Sequence, residues 1–336
     1  MRILGAAATV LVGAIAVAVL LWERAASAPP PRELLAGGNE PPAPRVAPEL
    51  ESLDRGALQA AADYAGEHGS RALIVSRHDH IVFERYWQGS RFETLADAQS
   101  FTPLLAALAV GVAISHRQIG WPDEPIGALI SEWRQDPRGA ITVRDLLHSP
   151  ADAQLLAMVL ERATHQRYAL YLSQVLWRRI GAADGWLRLD HPGGAAHADC
   201  CLLARQGDWI RIGQLLLRDG NYRGDEVIRP GWVTLMRTPS RANSQSGAYL
   251  RPGSPAAPGR EPYAARDLFV VQGGQGNRLW VVPSLQIAIL RTAPAGRDAA
   301  WDDSRIPNLI IRAARDYSPP AEGGADVSAL VPAHRP

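Results

Sequence analysis

The chain has no lysine; all 35 of its basic residues are arginine. Without an amine side chain it can form no Schiff base and use no lysine as a general base. Cysteine is almost as scarce, with only Cys200 and Cys201, adjacent to each other. Adjacent Cα atoms lie about 3.8 Å apart, below the usual disulfide minimum of about 4.4 Å. The pair therefore reads as two small buried thiols, with no disulfide framework. No third residue at ligand spacing stands out beside them, so we expect no metal and no cofactor. A surplus of one charge is missing too. The 35 basic residues against 34 acidic ones leave a net charge of +1, which gives nucleic acid no broad electrostatic footprint.

What the chain does have is apolar length. After Met1-Arg2, an uncharged run extends from Ile3 to Trp22 and ends at Glu23-Arg24. About 20 apolar residues can cross a bilayer as a helix, and Arg2 favours an inside N-terminus. We expect residues 1–24 to be a signal anchor with the body outside the cytoplasm, on the periplasmic side of the cell membrane. Ala26-Ser27-Ala28 resembles a small-residue cleavage site, so a cleaved, secreted form is the alternative. Residues 25–50 are rich in Pro, Ala and Gly and read as a tether. Residues 319–336 share that composition and read as a disordered tail.

The body, 51–318, alternates between two periodicities. Leu58 to Ala65 suggests a helix. "ALIVSRHDHIVFERYW" suggests two strands joined by a hairpin at Arg77-His78-Asp79-His80, where polar residues at a tip need no further role. Residues 120–239 read as helical, from "IGALISEW" to "DWIRIGQLLLRDG". "DLFVVQ", "RLWVVP" and "QIAILRT" suggest three more strands, followed by a closing helix from about Arg305. "Gly273-Gly274-Gln275-Gly276" reads as a turn between strands, because no helix follows it as a phosphate loop would require. The expected class is mixed α/β (α+β): an antiparallel sheet from 51–119 and 240–318, flanked by N- and C-terminal helices, with an all-helical subdomain inserted at 120–239.

Several stretches resemble one superfamily. "SFTPLLAALAVGVAI" followed by Ile119-Gly120-Trp121-Pro122-Asp123 looks like an active-site helix and its exit turn. Ile141-Thr142-Val143-Arg144-Asp145-Leu146-Leu147 looks like the helix that follows, and "GGQGNRLWVVPSLQIAILRT" like the closing strands. They are similar to the serine β-lactamases and penicillin-binding proteins, and within that superfamily to the 6-aminohexanoate-dimer-hydrolase branch of related esterases and amidases. The resemblance implies a β-lactamase/transpeptidase-like fold.

It also implies where the chemistry should sit. The family's Ser-x-x-Lys, followed directly by Ser-Phe, falls on Ala96 and Gln99 ahead of Ser100-Phe101. A methyl group is no nucleophile, and an amide is no base near neutral pH. The family's catalytic tyrosine, with the connection leading to it, has no counterpart; His148 and Ser149 stand nearest the vacant position. The third element, a charged residue beside Thr/Ser-Gly, is Gln272-Gly273-Gly274. Pro103 suggests a helix that starts with Thr102 as N-cap, which would leave residues 96–99 in the approach loop. Ser100 and Ser149 are the fallback nucleophiles, each still needing a base.

The reading favoured by these residues is a membrane-anchored pseudoenzyme that binds a peptide, glycan or protein of the cell envelope. An active hydrolase with a rearranged site is the first alternative, and a structural scaffold in an envelope complex is the second.

Overall fold

The computed structural model describes residues 29–238, 249–253, 260–294 and 301–319. In chain order these carry β1 (Arg32–Leu35), α1 (Arg55–Glu67), β2 (Ala72–Arg77), β3 (His80–Tyr86), β4 (Leu95–Asp97), α2 (Thr102–Ser115), α3 (Val143–Leu147), α4 (Ala153–Thr164) and α5 (Tyr168–Leu172). There follow β5 (Gly185–Arg188), β6 (Leu203–Arg205), α6 (Asp208–Leu217), β7 (Asn221–Tyr222), β8 (Asp225–Glu226), α7 (Trp232–Arg237), β9 (Arg251–Pro252), β10 (Phe269–Gln272), β11 (Arg278–Val282), β12 (Ile287–Thr292) and α8 (Arg305–Arg312).

The main sheet is antiparallel, in the order β3-β2-β12-β11-β10-β9. Its central strands are buried on both faces, and the two-residue period of a strand divides their side chains between two cores. Leu73 and Val75, Trp280 and Val282, and Ile287 and Ile289 pack with Leu58, Ala61, Ile306 and Ile310 of the terminal helices α1 and α8. Ala72, Ile74, Leu279, Val281, Ala288 and Leu290 face the other way, onto α6 and the helical side that contains α2. The expected hairpin is present: His78 and Asp79 take φ of 46° and 67°, the left-handed geometry that lets two residues join twisted strands. Both His78 and His80 bond through Nδ1 to the Glu51 carboxylate at 2.6 Å, so the tip is tied to the body.

Helix α2 is apolar on every face because every face is covered; residues from Thr102 to Ala113 are buried. Its small residues have a reason. The indole of Trp232 on α7 donates to Ala107 O at 3.1 Å, and a Cβ on Gly111 would lie 2.5 Å from that ring.

Three expectations are corrected here. Residues 120–239 are not all-helical. They contribute β5 and β6 to a second sheet, β1-β5-β6-β4, with β4 arriving from the other half of the chain. The tether assigned to 25–50 is docked from about residue 31. Strand β1 pairs with β5, Gly37 lies where a Cβ would come 2.1 Å from Ala182 O, and Arg211 Nη2 donates to the carbonyls of Glu40 and Pro41 at 2.7 and 2.9 Å. Its Pro and Gly content suits close backbone contact as well as it suits a linker. Third, Cys200 and Cys201 are neither free nor buried. They form a disulfide with Cα atoms 3.7 Å apart, and Cys201 turns into the left-handed region at φ 69°. The Cα minimum we applied describes bridges between separate segments, whereas a turn within the Cys-Cys unit brings adjacent sulfurs together.

Among the described residues no helix is long and apolar enough to cross a membrane. The run Ile3–Trp22 and the tail from residue 320 lie outside the described residues.

Candidate functional site

The stretch that should carry nucleophile and base is built from three different local structures. Ala96 is the middle residue of β4, paired across to Ala204 of β6. Asp97 Oδ1 accepts from Gln99 N at 2.7 Å, closing a side-chain turn, and Gln99 itself has φ 48°. A 3₁₀ turn, Gln99–Phe101, then leads into α2 at Thr102. The expectation that residues 96–99 precede the helix agrees with this, but the cap assignment does not. Phe101 is the N-cap, and the Thr102 hydroxyl instead accepts from Leu202 N at 3.4 Å. Pro103 sits in the first turn, where its missing N–H costs nothing.

The third element does approach the first. Gly273 and Gly274 lie in the β10–β11 turn, and a Cβ on Gly274 would be 3.2 Å from Ser100 Oγ. One on Gly273 would be 3.0 Å from the Phe101 ring, so glycine is needed for the contact. Gln272 is turned away to its neighbour strand, its Oε1 accepting from Arg251 Nη1 at 2.8 Å. His148 and Ser149 lie at the end of α3 and do not line the cavity beside Ala96 and Gln99. Burial, and then the charge of Arg144, lowers the His148 pKa, and its Nδ1 is buried without a hydrogen-bond partner. Ser100 is exposed and Ser149 half-buried. No histidine, carboxylate or tyrosine among the described residues hydrogen bonds to either hydroxyl.

The cavity measures about 240 Å³, and Phe101 and Trp209, ring centroids 5.0 Å apart, supply aromatic wall. Arg71, Asp97, Asn277 and Thr292 supply polar lining. Arg71 is the unexpected member. It forms no ion pair among the described residues, and its Nε is buried without a partner. Burial, reinforced by Arg278, pushes Arg291 down to about 10. Arg291 donates to Ser70 Oγ and His68 O and stacks on Trp301 at 4.2 Å. Nothing in the sequence pattern marks Arg71, because it is one of 35 arginines and becomes distinctive only by facing a cavity.

The expectation that no metal ligands gather is corrected as well. His197, Asp199 and Cys200 place one ligand atom each within 4.8 Å of one another. Their spacing was visible in the sequence; what was not visible was the turn that folds them together.

Comparison with solved structures places this architecture. A Bacillus anthracis protein designated a 6-aminohexanoate-dimer hydrolase superposes with a TM-score of 0.69 at 15% identity, covering 85% of this chain and 90% of that one. A penicillin-binding-protein homologue from Caulobacter crescentus gives 0.60 at 14%, covering 77% and 97%. The chain has the β-lactamase and penicillin-binding-protein fold. In sequence, the 6-aminohexanoate-dimer hydrolase of Paenarthrobacter ureafaciens is 31% identical over 121 residues. That alignment covers 35% of this chain and only 30% of the hydrolase. No family model matches the sequence. In this β-lactamase-like fold, the turn before α2, the start of α2 and the Gly273-Gly274 turn come together beside a cavity lined by Ala96 and Gln99.

Proposed function

We propose that this domain binds a carboxylate-bearing envelope peptide in its cleft and does not hydrolyse it. The observation that carries this reading is the placement of Ala96 and Gln99, one in a strand and one in a left-handed turn, in a chain with no lysine. An acyl-transfer site needs a nucleophile and base within hydrogen-bond reach, and these positions supply neither. What supports binding is Arg71, which forms no ion pair among the described residues and lies beside an aromatic wall: a guanidinium donates charge-assisted hydrogen bonds to a carboxylate. At about 240 Å³ the cavity suits the end of a ligand rather than the whole of one.

Intact-mass measurement after incubation with a penicillin and with a fluorophosphonate should show no added mass; a stoichiometric adduct on any serine would overturn the reading. Arg71→Gln should weaken binding of a peptide with a free terminal carboxylate roughly tenfold, consistent with loss of one charge-assisted hydrogen bond. The same peptide as its amide should bind wild type and variant alike.

We further propose that the apolar run Ile3–Trp22 anchors the chain and that the body faces an oxidising compartment. The Cys200–Cys201 disulfide supports this, since such bonds persist outside the reducing cytosol. Carbonate extraction should leave the chain in the membrane pellet, and recovery of soluble protein starting near Ala28 would replace anchor by cleaved signal.

A further inference from the structure

The segment 196–202 is pinned from several sides, one of them Ala98, which lines the cavity. The Gln154 side chain clamps it, donating to Ala196 O at 3.0 Å and accepting from Ala198 N at 2.9 Å. His197 N donates to Arg188 O at 2.8 Å, and Leu202 O accepts from Ala98 N at 2.8 Å, beside the degenerate catalytic turn. Held between these contacts are His197, Asp199 and Cys200, with His197 Nδ1 and Asp199 Oδ1 only 3.1 Å apart. All three side chains retain access to solvent.

We propose that this segment is a redox-gated zinc site. In the disulfide form, the Cys200 sulfur is bonded to Cys201 and unavailable. Reduction frees it, and His197 Nδ1, one Asp199 oxygen and the Cys200 thiolate then bind one zinc-class divalent cation. Nitrogen, carboxylate oxygen and thiolate together are a zinc donor set, and three protein ligands leave a fourth position open. The distances are within reach. Zinc bonds of about 2.0–2.3 Å separate tetrahedral ligands by about 3.3–3.8 Å, and the three atoms here already lie within 4.8 Å. The backbone clamps leave only side-chain rotation to close that gap. Cys201 is the competitor: whichever partner holds the Cys200 sulfur excludes the other.

The electrons balance with an external thiol-reactive couple. A phosphine reduces the disulfide to two thiols and takes oxygen from water to become its oxide. Zinc binding then displaces the Cys200 proton to solvent. A low-molecular-weight disulfide reverses the process, since it oxidises the two cysteines, is reduced to two thiols, and so expels the metal. This site does not depend on whether the neighbouring cleft is hydrolytic.

The test uses the full chain, reduced with a phosphine, desalted without oxygen and assayed for two free thiols. It should then take one equivalent of Zn2+ from a chromophoric chelator, whereas unreduced protein takes none. Cobalt(II) in place of zinc should show a sulfur-to-metal charge-transfer band. Cys201→Ser, which cannot close the disulfide, should bind zinc without reduction. His197→Ala and Asp199→Asn should each weaken binding roughly tenfold or more, as loss of a ligand costs at least what loss of its supporting group does. If the two-thiol protein and Cys201→Ser both leave zinc on the chelator, the proposal is wrong. It is equally wrong if the His197 and Asp199 variants bind as tightly as their parent.

Discussion

Installing the missing pair, Ala96→Ser with Gln99→Lys, is expected to leave ester hydrolysis at the wild-type background. In a Ser-x-x-Lys helix one turn puts both side chains on the same face. Here residue 96 alternates with its neighbours along β4, hydrogen-bonded in register to β6, and residue 99 follows a side-chain turn at φ 48°. A serine and a lysine grafted onto those backbones do not inherit the helical spacing. Proton transfer needs heavy atoms at about 2.6–3.2 Å, and its loss together with that of oriented approach removes several orders of magnitude. The tyrosine expected by resemblance near His148-Ser149 would also still be missing, with His148 half-buried and its pKa lowered. The measurement is initial-rate hydrolysis of activated esters by wild type and double variant, with circular dichroism to show that both fold. Turnover at enzyme-like rates would mean that the backbone of the cleft is catalytically competent after all and only its side chains were lost.

The largest stability effect is expected at Arg211. It is 2% exposed at the centre of α6, and its guanidinium bonds to Asp208 Oδ1, to the carbonyls of Ile180, Glu40 and Pro41, and to the Tyr222 hydroxyl. Burial already raises the Asp208 pKa, with the bond from Ala183 N and the charge of Arg211 opposing it. Arg211→Ala would strand that carboxylate and three carbonyls. Breaking one side of a buried ion pair costs about 3–5 kcal/mol, and a fall in Tm on the order of 10 °C should follow. Urea denaturation checks the free energy, and limited proteolysis should cleave the released segment before residue 45 first. Replacing both members, as Asp208→Leu with Arg211→Met, should recover only part of the loss, because the Glu40 and Pro41 carbonyls remain without a donor. Full recovery would show that the ion pair, and not the docking of the N-terminal segment, is what Arg211 holds.

Local order was readable in the sequence wherever local chemistry sets it. The continuous β-branched and apolar runs become β2, β11 and β12, the two-residue polar tip becomes the His78-Asp79 turn, and residues 96–99 precede α2, whose first turn holds Pro103. The absence of lysine excludes a Ser-x-x-Lys pair without any coordinates, since no fold supplies a side chain the chain lacks. Long-range pairing was another matter. Strands β1, β4, β5 and β6 are three or four residues long and too short to announce themselves, and each becomes a strand only because a partner from a distant part of the chain lies beside it. The same holds for the site. Arg71 comes to line a cavity with Trp209, and Cys200, His197 and Asp199 lie together in a turn that Gln154, about forty residues upstream, clamps through its side chain. Composition and periodicity report what each segment can do by itself; which groups share a pocket depends on contacts between segments far apart in sequence, and those were settled by the packing of the whole chain.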